Sequence, residues 1–278
     1  MNLLWLGDPK SFDAALVGGK AANLSRLARL YHRVPDGFSI PVTLMDEAHP
    51  MDLRDEIIAA TSDLMTCHSL PELVVAVRSS AVDEDGATAS FAGQNETYLN
   101  IVGADAIIAA VVRCWESARS ERALDYRRRQ GLSVERPQLA VLVQQLVAAD
   151  VAMVAFSANP ITGNRAEVMI NASWGLGESI VGGTVTPDTF IVRKSDMVVI
   201  QRVIADKQRM TVSAPGGTHE VDVPRFLRKE ASLNDEQVVE MAKLALTLEA
   251  TMGHPVDVEG AFAAGVLYLL QCRPITTL

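Results

Sequence analysis

The residues near the end of the chain offer the clearest chemistry in the sequence. Residues 256–274 alternate as two short strands joined by a turn, and strand side chains point in turn to opposite faces. Asp257 and Glu259 therefore share one face of the first strand, and Gln271 and Arg273 share one face of the second. Carboxylate and amide oxygens suit Mg²⁺ and a guanidinium suits phosphate, so the hairpin predicts a metal–triphosphate clamp. The alternative is a closing hairpin whose polar side chains lie on a solvated edge.

A glycine–lysine turn near the start is a second candidate for phosphate chemistry. Gly18, Gly19 and Lys20 precede a segment whose leucines recur at helical spacing, which predicts a helix over residues 21–30. Backbone N–H groups at such a helix start can meet an anion, and Lys20 adds a positive charge. The run is not a Walker A loop, because Ala21 stands where that loop needs Ser or Thr. A simple turn before a helix is the alternative.

A strand, a loop and a second strand follow. Residues 73–77 form an apolar run that ends in Arg78, and ligands often bind where strands end in α/β layers. The loop over residues 82–93 is small and polar and leads into a second strand over residues 97–101. Such a unit can fold over a nucleotide as a lid, with Gly93 allowing close backbone approach. An ordinary surface hairpin is the alternative.

Two adjacent glutamines interrupt the continuous apolar strand over residues 139–147. Buried amides need hydrogen-bond partners. Gln144 and Gln145 therefore face either the edge of an adenine ring or a neighbouring backbone.

Composition excludes several classes of protein. The net charge of −9 leaves no basic excess to neutralise nucleic-acid phosphates. The three cysteines are isolated, so neither a zinc site nor a disulfide framework is indicated. The sequence shows no signal peptide and no apolar stretch long enough to span a membrane. We expect a cytoplasmic protein without a nucleic-acid or membrane partner.

Helical and strand-like segments both occur along the chain. A long helical region over residues 104–129 stops at Gly131, and Pro137 punctuates the linker that follows. We therefore expect two lobes. Residues 1–135 would hold the phosphate-binding turn and the lid, and residues 136–278 would hold the glutamine strand and the hairpin.

The order of the candidate segments along the chain is characteristic of one protein family. They are Gly18–Leu24, Val77–Ala81, Ser90–Leu99, Val143–Val147, Trp174–Glu178, Asp257–Glu259 and Gln271–Pro274. This order strongly resembles the N-terminal ATP-binding domain of phosphoenolpyruvate synthase and pyruvate phosphate dikinase, which rifampin phosphotransferase also carries. The resemblance covers nearly the whole chain. It implies the α+β class and an ATP-grasp fold, in which two α/β lobes hold the nucleotide in the cleft between them.

The resemblance also implies a role for each candidate residue, with ATP and Mg²⁺ as cofactors. Lys20 and Arg78 would hold the phosphates, and Gly93 and Thr97 would lie on the lid. The remaining assignments are Gln144 and the backbone of Gln145 and Leu146 at the adenine, Glu259 and Gln271 on Mg²⁺, Arg273 on the terminal phosphates and Lys207 near the nucleotide.

In the resembling family, ATP is split to AMP and phosphate, and a phosphoryl group passes to a histidine on a swivelling domain. The 278 residues contain no such domain, so we expect a partner protein that carries the histidine and serves a small-molecule acceptor. Lys20, Arg78 and Arg273 would supply the charge that such a transfer needs. An ATP-grasp ligase-like enzyme that phosphorylates a small molecule directly, or a non-catalytic nucleotide sensor, are the alternatives.

Two departures from the family pattern stand out. Gly260 replaces the tryptophan that usually follows the metal glutamate, and we expect it to loosen that turn. His219 follows two glycines and a threonine, as carrier histidines do, but it lies where a hairpin tip is expected. We therefore do not assign it the carrier role.

Overall fold

The chain forms two antiparallel sheets with helices packed against them. The computed structural model describes residues 3–30, 32–47, 50–82, 96–129, 131–135 and 137–276. Two compact units emerge, the first comprising Met1–Leu146 with Pro215–Gly217 and the second comprising Val147–Ala214 with Thr218–Leu278. The α+β class predicted from the sequence is confirmed.

The first unit contains a five-stranded sheet with the strand order β1-β2-β5-β3-β4. Its strands are β1 (Leu4–Trp5), β2 (Gly37–Ile40), β3 (Val74–Ala81), β4 (Thr97–Val102) and β5 (Leu139–Gln145). Its helices are α1 (Ala14–Arg29), α2 (Thr43–Glu47), α3 (Arg54–Cys67), α4 (Ala104–Ser117) and α5 (Glu121–Arg129), with short 3-10 turns at Pro9–Phe12 and Pro50–Leu53. The helical region expected over residues 104–129 is thus two helices, not one.

The boundary between the units falls later than the sequence suggested. Strand β5 is hydrogen-bonded to β2 on one side and to β3 on the other, inside the first sheet. The glutamine strand therefore belongs to the first unit, and the boundary expected after residue 135 lies after Leu146. The error arose because Gly131 and Pro137 end a helix, whereas the pairing of β5 with distant strands leaves no local mark in the sequence.

Helices cover both faces of the first sheet. Val75, Val77, Val141 and Val143 are fully buried and pack with α3 and α4. Leu142 points to the opposite face and packs against α1. The alternation along β3 and β5 thus places one apolar layer on each side of the sheet.

The second unit contains a six-stranded sheet with the strand order β13-β12-β6-β7-β8-β9. Its strands are β6 (Val151–Phe156), β7 (Glu167–Trp174), β8 (Asp188–Arg193), β9 (Val198–Val203), β12 (Val256–Ala263) and β13 (Val266–Pro274). A separate hairpin comprises β10 (Arg209–Ala214) and β11 (Gly217–Asp222). The helices are α6 (Glu178–Val181) and α7 (Asp235–Met252).

Helix α7 begins with the capping pattern that the sequence predicted. The side chain of Asn234 accepts from the backbone of Gln237, whose side chain in turn accepts from the backbone of Asn234. The helix packs against β6, β7, β8, β9 and β12. One face of the six-stranded sheet is therefore closed by a single helix.

His219 lies in the β10–β11 hairpin, as expected, although within strand β11 and not in the turn before it. Among the described residues, no helix is both long and apolar enough to cross a membrane.

Candidate functional site

Strand register brings the polar residues of the C-terminal hairpin together. Asp257 of β12 lies directly opposite Arg273 of β13. Two residues further along β12, Glu259 lies opposite Gln271. Residues opposite each other in an antiparallel pair project from the same face, and so do residues two apart in one strand. All four side chains therefore lie on one face of the second sheet, as the sequence predicted. The turn between the strands is Ala264 and Gly265, both at positive φ.

Arg273 is oriented by Asp257. Its Nε and Nη2 atoms both lie 2.7 Å from Oδ2 of Asp257. Oδ1 of the same carboxylate is buried and has no hydrogen-bond partner among the described residues. Burial raises the pKa of Asp257, the charge of Arg273 lowers it, and the nearby Glu259 raises it again, with a net increase. The carboxyl group thus sits where additional positive charge would stabilise its ionised form.

This donor set fits Mg²⁺. Glu259 and Gln271 offer a carboxylate and an amide oxygen on one face, and the unpartnered Oδ1 of Asp257 lies on the same face. No three His, Cys, Asp or Glu side chains cluster as a closed metal cage in the described part of the chain. Mg²⁺ does not need such a cage, because it commonly keeps water and takes phosphate oxygens as ligands.

Gly260 lies inside strand β12, where it pairs with Leu269 and Met153. A Cβ atom at this position would lie 3.2 Å from the Cε methyl of Met241 in α7. Gly260 therefore lies within a strand and not in a turn, and the pairing of β12 with β13 shifts register between Glu259 and Gly260.

The predicted glycine–lysine turn is a kink inside α1, where Gly18 is non-helical, and it packs directly on strand β3. Gly18 has φ +77°, and a Cβ atom there would lie 2.1 Å from the carbonyl oxygen of Ser80. The backbone N–H of Ala21 donates to Oγ of Ser80 at 3.1 Å. Lys20 is 3% exposed, and its Nζ donates to the carbonyl of Ser79 at 2.8 Å. Only glycine allows this close approach, which fixes Lys20 against the end of β3.

Arg78 and Thr97 lie opposite each other in β3 and β4 and so share a face of the first sheet. The start of β4 is tied to β3 through Ser79. The backbone N–H of Ser79 donates to the carbonyl of Glu96 at 3.0 Å, and the Oγ of Ser79 accepts from the N–H of Glu96 at 2.9 Å. The proposed lid falls mainly on residues 83–95, including Gly93, and these lie outside the described residues.

The glutamine strand meets backbone, the second of the two alternatives drawn from the sequence. Gln144 is 2% exposed, and its Nε2 donates to the carbonyl of Pro35 at 2.8 Å. The backbone N–H groups of Gln145 and Leu146 donate to the carbonyls of Asp36 and Val74. These donors serve the first unit itself. The Nε2 donor of Gln144 is thus used within the first unit, and the adenine role of Gln144, Gln145 and Leu146 stays a prediction.

Lys207 is part of a fully buried ion pair. Its Nζ donates to Oδ1 of Asp188 at 2.6 Å and to the carbonyl of Ala205 at 3.2 Å. The backbone N–H and the hydroxyl of Ser232 both donate to Oδ2 of Asp188 at 2.8 Å. Lysine and aspartate are each 0% exposed. The network ties β8 to two distant segments of the second unit, and the place of Lys207 near the nucleotide stays a prediction.

Two groups of candidate residues result, each within one unit. Lys20, Arg78 and Thr97 lie around the end of β3, and the hairpin carries Glu259, Gln271 and Arg273. Sequence reasoning overlooked the Asp188 carboxylate, for which no local motif stands in the chain. It noted Asp257 on the hairpin face but gave it no role.

The chain is similar in sequence to several known proteins. Residues 41–278 match the family described as the pyruvate phosphate dikinase AMP/ATP-binding domain. A probable phosphoenolpyruvate synthase from Methanocaldococcus jannaschii is 45% identical over 237 residues, which cover 84% of this chain and 20% of that protein. The phosphoenolpyruvate synthase of Pyrococcus furiosus is 45% identical over 238 residues, with 82% and 29% covered.

A rifampicin phosphotransferase from Streptomyces sviceus is 38% identical over 303 residues, covering 96% of this chain and 35% of the relative. The chain thus spans 20% to 35% of the length of these three relatives. The D-alanine–D-alanine ligase of Bacillus anthracis complexed with ATP aligns with 96% of this chain and 57% of its own, at 8% identity and a TM-score of 0.38, which is too weak a likeness to support an argument. Because the family match covers residues 41–278, the chain belongs to the pyruvate phosphate dikinase AMP/ATP-binding domain family.

Proposed function

We propose that this chain is the ATP-binding component of a phosphoenolpyruvate synthase-like phosphotransferase. It splits ATP and passes a phosphoryl group to a histidine on a separate partner domain, in the cytoplasm. The observation that carries the proposal is the hairpin register, which sets Glu259 opposite Gln271 and Asp257 opposite Arg273 within the family-matched region. The names of the relatives, phosphoenolpyruvate synthase and rifampicin phosphotransferase, support the class of reaction.

The hairpin is the proposed metal-binding element. Glu259 and Gln271 would hold Mg²⁺, with Oδ1 of Asp257 close to the same set. Bound Mg²⁺ supplies neutralising charge for the phosphate oxygens. Asp257 holds the guanidinium of Arg273 through two nitrogens, so the planar donor group is oriented before the terminal phosphates arrive.

The end of β3 is the proposed phosphate-binding element of the first unit. Lys20 and Arg78 would bind phosphate oxygens, with Thr97 opposite Arg78. Gly18 and Ser80 fix the turn that carries Lys20, which limits how far the ammonium can move. Such preorganised charge is the main contribution that a protein makes to phosphoryl transfer.

The proposed reaction is a transfer to nitrogen. The bond between the α- and β-phosphates breaks and releases AMP, while a P–N bond forms between the β-phosphorus and the partner's imidazole. The γ-phosphoryl group passes to water and leaves as inorganic phosphate. The partner domain then delivers its phosphoryl group to a small-molecule acceptor.

Calorimetry with Mg-ATP and an assay for AMP test the proposal. The purified chain is expected to bind Mg-ATP and to release AMP when a phosphohistidine domain is added. Glu259→Gln keeps the side-chain shape but removes the charge, so it should weaken Mg-ATP binding on the order of 100-fold. Glu240→Gln is the matched control, because Glu240 is exposed on α7 and should leave binding unchanged.

Three outcomes would count against the proposal. Absence of nucleotide affinity in the wild-type chain would refute it. Release of ADP without a partner would instead favour a ligase-like enzyme that phosphorylates a small molecule directly. Equal affinity of the Glu259→Gln and Glu240→Gln variants for Mg-ATP would refute the metal assignment alone.

A further inference from the structure

The two faces of the second sheet differ in polarity, as two neighbouring rows of cross-strand pairs show. Cross-strand pairing aligns Cys272, Val258, Ala155, Ile170 and Phe190 in one row, and each is at most 1% exposed. This row lies on the face that Gly260 shares, where α7 packs. It is an apolar core and leaves no room for a ligand.

The neighbouring row, on the opposite face, is polar at four of its five positions. Its members are Gln271, Glu259, Val154, Asn171 and Thr189, each directly opposite the next. All but Gln271 are half-buried. The face that carries the proposed metal ligands therefore continues across β6 to two more polar side chains. Neighbouring strands lie about 4.8 Å apart, so Asn171 is roughly 10 Å from Glu259 along the row.

The amide of Asn171 has a fixed orientation. The hydroxyl of Thr189 donates to Oδ1 of Asn171 at 3.0 Å. This bond occupies the oxygen and directs the other end of the amide, the Nδ2 group with its two N–H donors, away from Thr189. Among the described residues, Nδ2 has no hydrogen-bond partner, and Asn171 is half-buried. A donor held in this way is prepared for an acceptor from outside the chain.

A second unmet polar group lies on the same face. Ser173 follows Asn171 by two residues in β7, so both side chains project to one side. Ser173 is 0% exposed, and its Oγ has no partner among the described residues. Helix α6 packs on β6 and β7, so this hydroxyl is closed off from solvent and a ligand cannot contact it directly. The inference therefore rests on the amide of Asn171, which is the half-buried donor of this face.

We propose that Asn171 is a nucleotide-binding residue, whose Nδ2 donates to an oxygen of the bound ATP, and that Thr189 is its positioning residue. The inference rests on the proposed function, since the nucleotide is the ligand of the same sheet face. Two oxygens have the required chemistry, a ribose hydroxyl and a phosphate oxygen. A distance of roughly 10 Å from the metal ligands is within the length of one extended nucleotide.

The test is calorimetric titration of the whole chain with Mg-ATP. Asn171→Leu keeps the size of the side chain but removes the donor, and it should weaken Mg-ATP binding by about tenfold. Thr189→Val removes the hydroxyl without changing the shape, and it should weaken binding by a smaller factor because the amide is then free to rotate. Gln201→Leu is the matched control, since Gln201 is an exposed amide on the edge strand β9 and should leave the affinity unchanged.

Asn171→Asp distinguishes the two oxygens. Thr189 can still donate to the new carboxylate, so the side chain keeps its orientation. A ribose hydroxyl can donate to that carboxylate, and binding would then be largely retained. A phosphate oxygen would be repelled, and binding would fall further than with Asn171→Leu. Either result supports the proposal when Asn171→Leu has lost affinity.

The failure of this inference differs from the failure of the proposed function. A wild-type chain that does not bind Mg-ATP refutes both. A wild-type chain that binds, together with Asn171→Leu and Thr189→Val variants whose affinities stay within about twofold of it, overturns this inference alone. Thermal unfolding of each variant is recorded as well, because a purely structural role would lower the melting temperature and leave the affinity of the folded protein unchanged. Should Asn171→Leu not fold, Thr189→Val decides the matter.

Discussion

Lys20 and Lys207 are both buried lysines that the sequence assigned to the nucleotide, yet the protein holds them in different ways. Lys20 donates to the main-chain carbonyl of Ser79, whereas Lys207 donates to the carboxylate of Asp188. A carbonyl carries a partial negative charge and a carboxylate a full one. The charge of Lys207 is thus neutralised inside its own unit. The two hydrogen-bond partners thus differ in kind, and removing each lysine tests a different role.

The largest expected effect is on stability, at Lys207. Lys207→Met would leave Asp188 charged at 0% exposure, facing Ser232 and the backbone of Ala205 without its cation. Breaking a buried ion pair from one side costs about 3–5 kcal/mol of unfolding free energy. Urea denaturation of the variant should show this loss.

Lys194→Met is the control for Lys207→Met. Lys194 pairs with Glu249 at 2.6 Å, but its side chain is 16% exposed and that of Glu249 23% exposed. Water can solvate the remaining carboxylate, so the loss should be about 1 kcal/mol or less. If Lys207→Met is instead as stable as the wild type and binds Mg-ATP poorly, the nucleotide role assigned to Lys207 from the sequence is correct.

The second effect is on nucleotide affinity, at Lys20. Lys20→Met keeps a long side chain against Ser79 but removes the charge. A hydrogen bond from a charged group contributes about 1.5–3 kcal/mol, so Mg-ATP affinity should fall by about tenfold or more. Calorimetry measures the fall, and urea denaturation should show a much smaller loss than for Lys207→Met. The reverse pattern, with stability lost and affinity kept, would make Lys20 the structural lysine.

The third effect concerns the turn that positions Lys20. Gly18→Ala would place a methyl group 2.1 Å from the carbonyl oxygen of Ser80, at φ +77°. Gly103→Ala is the matched control, with φ +83° and no atom within 4 Å of the new methyl group. Backbone strain is common to both variants. The clash should cost Gly18→Ala about 1–3 kcal/mol more, and a lower Mg-ATP affinity should accompany it if the turn positions Lys20.

These contrasts show which parts of the molecule could be predicted from sequence. The hairpin was accessible because its strands are joined by a short turn, so alternation alone places Asp257 and Glu259 with Gln271 and Arg273. Helix α7 was accessible because its cap is local. In both cases the partners are close along the chain.

The parts that were not predicted depend on partners far apart along the chain. Lys20 and Ser79 are 59 residues apart, and Asp188 and Ser232 are 44 apart. No periodicity or motif encodes such a contact. The same limit explains why β5 was assigned to the wrong unit, since its neighbours β2 and β3 begin 102 and 65 positions earlier, at residues 37 and 74 against 139. The fold class was predictable, whereas the hydrogen-bond partner of each lysine was not.

The effect that is smallest near neutral pH, where it vanishes, is a dependence of stability on pH that arises beside Lys20. Burial raises the pKa of the Cys114 thiol from 9.0 to about 12, although the nearby charge of Lys20 lowers it. The folded thiol therefore stays protonated in a range where the unfolded thiol loses its proton. Its contribution to stability is complete below pH 9.0 and declines by up to about 1.4 kcal/mol per pH unit as the pH rises toward 12.

Comparing Cys114→Ala with Cys67→Ala isolates this contribution. Urea denaturation at a series of pH values from 8 to 11 should show a shallower alkaline decline for Cys114→Ala than for the wild type. Cys67 is exposed, so Cys67→Ala should keep the wild-type decline. The slope is the measured quantity, because the cavity left by Cys114→Ala shifts stability equally at every pH. Equal slopes in the two variants would mean that water reaches Cys114. That result would contradict the burial of the region around Lys20.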